Sequence, residues 1–309
     1  MERLSPYAVG TTLYVPSTAW KYMENILAGK YGVLPCVTLC LEDSIDSGEV
    51  ARGMECIGRF LAAARQSDGL PHIFIRPRDG DNLSALLDRG GLEGIAGFVL
   101  PKFRLVDLPD WERRLRGEPY LWMPTLETAG AIGPAPTREL ADALLAGPGR
   151  ERIVALRTGG NDLQQQLGVR RSGRHTVYEG PLGYVLGMLS TIFLPRGFAL
   201  TAPVFELLDD EALLAAELER DILHGFCGKT AIHPAQLGHI QAAFRVTPEE
   251  AATARAILEK EKAVFRFDGR MCEPATHSHW ARKILERREV FGESGTQAEP
   301  DGGSAAGLP

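Results

Sequence analysis

The chain has 309 residues, of which 44% are hydrophobic and 24% charged, with a formal charge of −6 and a pI near 5.7. That composition is that of a globular protein large enough for one barrel with an appendage or for two ordinary domains. The acidic balance argues against non-specific nucleic-acid binding, and no stretch approaches the ~20 apolar residues of a membrane span.

The N-terminus lacks the basic start, apolar core and small-residue cleavage site of a signal peptide, so a cytoplasmic location is expected. Five cysteines, Cys36, Cys40, Cys56, Cys227 and Cys272, are odd in number and lack zinc-type spacing. Most read as buried small apolar residues of a reducing compartment, and no disulfide framework is indicated.

In chain order the strand candidates are Thr11–Val15, Val37–Leu41, His72–Ile75, Gly97–Leu100, Tyr120–Leu126, Ile153–Leu156, Ala199–Val204 and Thr230–Ile232. Amphipathic segments such as Ser84–Leu87, Arg138–Leu145 and Glu211–Leu223 lie between them. Near-continuous apolar strands alternating with helices describe a parallel sheet covered by helices. Eight strands is the closure number of a (β/α)8 TIM barrel, whose usual size is ~250 residues. The barrel is expected over residues 1–245.

Between strands six and seven lies a basic cluster, Arg170, Arg171 and Arg174, followed by an apolar helix near Tyr184–Phe193. The cluster reads either as a grip for an anionic substrate tail or as a solvated loop or subunit contact. Beyond strand eight, Thr247–Phe265 reads as a helix opened by Thr247-Pro248-Glu249-Glu250. A turn at Asp268-Gly269 and a second helix over about His279–Val290 follow. Residues 246–292 are expected to form a helical extension serving as lid or oligomer contact. Residues 293–309, rich in Gly, Ser, Ala and Pro, are expected to be a disordered tail.

Function is read from where the polar residues fall. Successive strands run into Pro16-Ser17, Glu42-Asp43, Arg76, Lys102, Glu127, Asn161-Asp162, Glu206 and His233. Polar groups at the C-terminal ends of barrel strands mark an active site. Glu127 and Asp162, following neighbouring strands, offer two hard oxygen ligands that suit Mg²⁺. The alternative for them is an internal ion pair with Arg76 or Lys102. Lys102 reads as a neutraliser of substrate charge or as a partner of Glu127. His233, followed by Pro234, reads as a structural hydrogen-bonding residue. Lys229 reads as a phosphate contact or a barrel ion pair, and Gly159-Gly160 as backbone close to substrate or simply a turn, with Gly160 and Asn161 as the substrate-binding candidates.

At these strand ends the chain resembles the citrate lyase beta-subunit-like family of the HpcH/HpaI aldolase superfamily, in a divergent bacterial C–C bond lyase-like branch. The matching pieces are Leu13-Tyr14-Val15-Pro16, Leu41-Glu42-Asp43-Ser44, Ile75-Arg76, Leu100-Pro101-Lys102, Leu126-Glu127-Thr128, Asn161-Asp162-Leu163 and Gly225–Gln236. The resemblance implies a Mg²⁺-dependent lyase acting on a small oxo- or hydroxy-acid or its CoA thioester. It implies Glu127 and Asp162 as metal ligands, Arg76 as the catalytic substrate-binding guanidinium, and Glu42 and Asp43 as its supports. It implies a homotrimer or hexamer and a gene neighbourhood associated with tellurium resistance. The family's lid motif, Gly-x-Met-Ile-Asp-x-Pro, is replaced by Gly269-Arg270-Met271-Cys272-Glu273-Pro274, in which Glu273 is the nearest acid. That departure motivates a second reading, a non-catalytic barrel that binds a metal–oxo-acid complex; a CoA thioester hydrolase on the same frame is a third.

Overall fold

The computed structural model describes residues 4–260 and 262–295 and divides into two compact units, residues 1–243 and 244–309. The first unit begins with β1 (Thr11–Pro16), α1 (Trp20–Leu27), β2 (Cys36–Cys40), α2 (Val50–Ala64), β3 (His72–Arg76), α3 (Gly80–Arg89), β4 (Gly97–Leu100) and α4 (Leu108–Arg114). It continues with β5 (Leu121–Leu126), α5 (Pro134–Ala146), β6 (Leu156–Thr158), α6 (Gly160–Leu167) and α7 (Pro181–Phe193). It ends with β7 (Leu200–Thr201), α8 (Glu211–Leu223), β8 (Lys229–Ala231) and α9 (Gln236–Ala243).

The strands form one sheet in the order β7-β6-β5-β4-β3-β2-β1-β8, with every ladder parallel. A parallel bridge from Ala202 to Lys229 brings the two edges together, so this is a (β/α)8 TIM barrel. Closure removes the unpaired edges that an open sheet would present. The local causes are ordinary. Strands β2 and β4 are buried along their whole length, as strands covered on both faces must be. Helix α2 buries Gly53, Ile57, Phe60 and Leu61, a helical stripe laid against the sheet. Asp79 starts α3 by accepting the Asn82 amide at 2.8 Å.

Only the fourth strand keeps its expected bounds, and the differences in the last three have a physical cause. The sixth strand, expected over Ile153–Leu156, runs over Leu156–Thr158, with Ile153 making only an isolated bridge to Trp122. The seventh is confined to Leu200–Thr201, and the eighth starts at Lys229 rather than Thr230. Charged residues end a strand in a hydrophobicity pattern, whereas here Arg157 and Lys229 stand inside strands. Lys229 is fully buried between β8 and α8, its ammonium 2.9 Å from Glu217 and 3.0 Å from Asp221. Of its two readings, phosphate contact or ion pair, the structure shows the ion pair.

Arg171 is spent in the same network. Its guanidinium reaches Glu217 at 2.5 Å, Glu206 at 3.2 Å and the Val204 carbonyl at 2.7 Å, above the Phe205 ring. It ties the connection between α6 and α7 onto α8, while Arg170 and Arg174 are exposed.

The second unit holds α10 (Pro248–Glu259), an antiparallel hairpin of β9 (Phe265–Phe267) and β10 (Arg270–Cys272), and α11 (Pro274–Phe291). Thr247 and Glu250 form a reciprocal capping box at the start of α10. The first helix, expected to reach Phe265, ends at Glu259, because Phe265 pairs in the hairpin and packs with Ile257, Cys272 and Ile284. Asp268 and Gly269, both at positive φ, form the two-residue turn between β9 and β10. The second helix begins at Pro274, five residues before the expected His279. Glu293 bridges to Val246, and residues 296–309, the greater part of the expected tail, lie outside the described residues. Among the described residues no helix is long and apolar enough to cross a membrane.

Candidate active site

Parallel strands send all their C-terminal ends to one mouth, and that is why residues far apart in the chain meet there. A cavity of about 270 Å³ opens at this mouth, lined by Tyr14, Glu42, Asp43, Arg76, Glu127, Arg157, Gly160, Asn161 and Asp162 among others. It lies at the small end of ligand pockets, typically ~300–1,000 Å³. That volume suits a short acid or the reactive end of a longer molecule.

Arg76 closes β3 and is 6% exposed; Glu42 and Glu127, each 3% exposed, flank it. One Arg76 amino group donates to Glu42 at 2.7 Å and to Glu127 at 2.9 Å. The same Glu127 oxygen, Oε1, accepts the Lys102 backbone amide at 2.6 Å. Lys102 adopts a left-handed φ of 45°, unusual for a residue with a side chain. That conformation accompanies the turn after Pro101 that aims its N–H at Glu127. Its ammonium meets Glu42 at 2.7 Å and Asp43 at 3.1 Å. Lys102 therefore pairs with Glu127 through backbone and with Glu42 and Asp43 through its side chain. It lines an adjoining groove, not the cavity itself.

These bonds leave specific oxygens open. Glu127 Oε2 has no protein partner among the described residues, and neither has the Asp162 carboxylate in the first turn of α6. Burial pushes the Glu127 carboxyl up to about 7; Arg76 and the Lys102 amide oppose this, and the charges of Asp162 and Glu42 add to it. Asp162 is raised by burial too, against the pull of Lys102. Glu42 behaves oppositely: burial raises it, but Arg76 and Lys102 together hold it below the usual carboxylate range. Glu42 is thus a satisfied ionic partner, while Glu127 and Asp162 are carboxylates short of positive charge. Among the described residues no cage of three or more His, Cys, Asp or Glu side chains exists. Mg²⁺ does not need one, since one or two carboxylates with water and substrate oxygens complete its shell. The donor set fits a hard divalent cation held by Glu127 and Asp162.

Gly159 lies directly against the Glu127 side chain. A Cβ there would lie 2.3 Å from Glu127 Oε2 and 2.4 Å from Glu127 Cβ. Only glycine lets β6 pass Glu127 without moving its carboxylate. At Gly160 a Cβ would lie 2.6 Å from Pro203 Cβ, so its smallness serves packing as well as the cavity wall. Gly159→Ala is expected to destabilise the fold by about 1–3 kcal/mol through overpacking, read by denaturant unfolding. Glu206 pairs with Arg171, and His233 Nδ1 accepts the Ala235 amide at 3.2 Å, a structural turn contact. Glu273 is in the second unit, preceding α11; its side chain accepts from the Thr276 hydroxyl at 3.2 Å.

Comparison with known proteins agrees with this architecture. The family model described as C-C_Bond_Lyase of the TIM-Barrel fold matches residues 3–293. The chain belongs to that family. A citrate lyase from Burkholderia xenovorans superposes with a TM-score of 0.72 at 22% identity, covering 95% of this chain and 97% of the other. CitE from Mycobacterium tuberculosis, solved with magnesium, acetoacetate and coenzyme A, gives a TM-score of 0.66 at 21% identity, over 91% of this chain and 98% of that one. The citrate lyase beta subunit of the same organism, solved with oxaloacetate and magnesium, gives 0.58 at 18% identity, over 77% and 99%. These likenesses show the fold. A (3S)-malyl-CoA thioesterase from Cereibacter sphaeroides is 34% identical over 148 residues, 45% of this chain and 50% of that protein. The chain thus spans about half the length of the curated relatives it matches.

One residue of this family member's cavity escapes a sequence reading. Arg157, only 2% exposed, projects from β6 across the barrel interior. It donates to Thr230 on β8 at 2.9 Å and to Thr12 on β1 at 2.5 Å. Its partners are 73 and 145 residues away in the chain. The one available signal was its position five residues before Asp162 in an otherwise apolar run.

Proposed function

We propose that this family member is a Mg²⁺-dependent lyase that makes or breaks a carbon–carbon bond in a small oxo- or hydroxy-acid or its CoA thioester. The observation that carries the reading is that Glu127 Oε2 and the Asp162 carboxylate, without partners among the described residues, line one cavity with the Arg76 guanidinium. The magnesium and oxo-acid complexes of the Mycobacterium tuberculosis proteins support it.

When bound, Mg²⁺ supplies positive charge to the substrate oxygens that become more negative as the bond breaks. Glu127 and Asp162 would hold the cation, which would offset their own charge. Arg76, fixed by Glu42 and Glu127, presents a planar donor fork to a carboxylate or α-oxo group. Glu42 and Asp43 anchor Lys102, whose amide in turn keeps Glu127 Oε1 occupied and leaves Oε2 for the ligand. Cleavage needs one group to take the hydroxyl proton and to return a proton to carbon. The family pattern gives that role to a lid aspartate, in whose place this chain has Glu273 as the nearest acid. Glu273→Gln is expected to lower kcat by about 10²–10⁴, with Mg²⁺ affinity measured by calorimetry unchanged.

The match to a (3S)-malyl-CoA thioesterase favours a second reading, hydrolysis of a CoA thioester on the same frame. A screen with Mg²⁺ over short oxo-acids and their CoA condensation products separates the two. A new carbonyl product marks the lyase, and free acid plus CoA without one marks the hydrolase. Absence of turnover together with Mg²⁺-dependent oxo-acid binding would instead mark a barrel that binds the complex without converting it. A homotrimer or hexamer in a cytoplasmic setting completes the proposal.

A further inference from the structure

Barrel interiors are normally filled by branched apolar side chains. Arg157 places a cation there, and among the described residues no carboxylate lies within ion-pairing distance of it. Its hydrogen-bonding partners are two neutral hydroxyls, Thr12 and Thr230, themselves register neighbours on β1 and β8. The Tyr14 ring lies 5.6 Å from the guanidinium carbon. A guanidinium carries five N–H donors; two bonds are made, and Nε is buried with no partner. Burying a charge on neutral partners alone is expensive, and an apolar residue would fill the space at lower cost.

The same cavity that Glu127 and Asp162 line is also lined by Arg157 and Thr230. Two more buried hydroxyls on its wall, Thr125 and Thr158, lack partners among the described residues, and Thr125 is the register neighbour of Arg157. The lining thus combines carboxylates in need of a cation with a cation and hydroxyls in need of an anion.

Resting on the metal-site reading above, we propose that Arg157 is a specificity residue that receives a second carboxylate on the substrate, making the site selective for short oxo-diacids over oxo-monoacids. A diacid satisfies both needs of the cavity in one molecule: one carboxylate with its α-oxo group goes toward Glu127, Asp162 and Arg76. The far carboxylate accepts from the free donors of Arg157. A ligand ending in a hydrocarbon leaves those donors buried and unpaired, which is how a polar pocket rejects an apolar isostere.

The test measures binding by calorimetry in saturating Mg²⁺, using oxaloacetate, pyruvate and α-ketoisocaproate, in which an isopropyl group replaces the second carboxylate. The wild-type protein is expected to bind oxaloacetate at least about 30-fold more tightly than α-ketoisocaproate, the scale of a desolvated charge pair. In Arg157→Met the ratio is expected to fall to about threefold or less while pyruvate affinity stays within about threefold. Arg157→Lys is expected to fall between the two. A residue that merely plugs the barrel would lower all three affinities together, and that result overturns the assignment. So does a wild-type protein that binds diacid and isostere equally, a measurement that needs no variant to fold. Mg²⁺-dependent pyruvate binding without diacid preference removes only the Arg157 assignment. Failure of every oxo-acid to bind removes the functional reading with it.

Discussion

Glu127→Gln and Asp162→Asn are each expected to weaken Mg²⁺ binding by at least about 100-fold, more than the 10–100-fold typical of losing an outer hydrogen-bond partner. Both substitutions keep shape and remove charge, so loss of binding reports on ligation and not on collapse. Glu127→Gln has a second expected consequence of opposite sign. The Glu127 carboxyl titrates near 7 in the fold, against ~4.3 in an unfolded chain. An acid raised in this way favours folding while protonated. Its contribution is fully present below about pH 4 and is lost as pH rises through 7. Without metal at pH 8, Glu127→Gln is therefore expected to melt higher than the wild type. At pH 4 the two are expected to converge. Saturating Mg²⁺ at pH 8 is expected to raise the wild-type Tm and leave the variant unmoved. Thermal scans with and without Mg²⁺ at the two pH values check the whole set. A metal-induced rise that survives in Glu127→Gln and in Asp162→Asn would remove the metal site from these residues.

Arg76→Met is expected to be the most damaging single change, costing about 3–5 kcal/mol of stability. It strands Glu42 and Glu127, both almost wholly buried, without the guanidinium they share. Lys102 still reaches Glu42 at 2.7 Å, so the loss falls mainly on Glu127. Arg76→Lys keeps the charge but replaces a planar fork by a point donor, and it is expected to fold with a smaller loss. Its turnover is expected to fall by about 10²-fold or more, since misplacement by an ångström costs that much. Urea unfolding separates the two variants, and steady-state rates on whichever acid the screen identifies measure the second effect. Stability of Arg76→Met within about 0.5 kcal/mol of wild type, the usual range for a surface change, would show that the ion pairs do not hold this end of the barrel.

The barrel and most of the residues at its mouth are legible in the sequence. Parallel strands covered on both faces are written as unbroken apolar runs, and β2 and β4 are such runs, buried end to end. The first polar residue after a run marks the strand end, which gathers Arg76, Lys102 and Glu127; Asp162 follows the sixth run at the distance of a short loop. The same rule failed where a charge lies inside a strand. It stopped the sixth strand at Leu156 and placed the eighth after Lys229, because local hydrophobicity cannot see a partner supplied by another element. Lys229 is satisfied by α8. The hairpin over Phe265–Cys272 was hidden for a related reason: its strands are three residues each, too short for a period to show.

By itself the sequence determined the barrel, its strand order in the chain, and the chemical types waiting at its open end, since burial pattern and strand-end chemistry are local properties. What only the tertiary structure decided is how those groups share their bonds. One Glu127 oxygen is consumed by Arg76 and Lys102 and the other is left open; Arg171 is spent on Glu206 and Glu217 and not on a ligand; Arg157 crosses the interior to Thr12 and Thr230. Pairing of buried charge depends on distances between residues tens to more than a hundred positions apart, and barrel closure alone sets those distances.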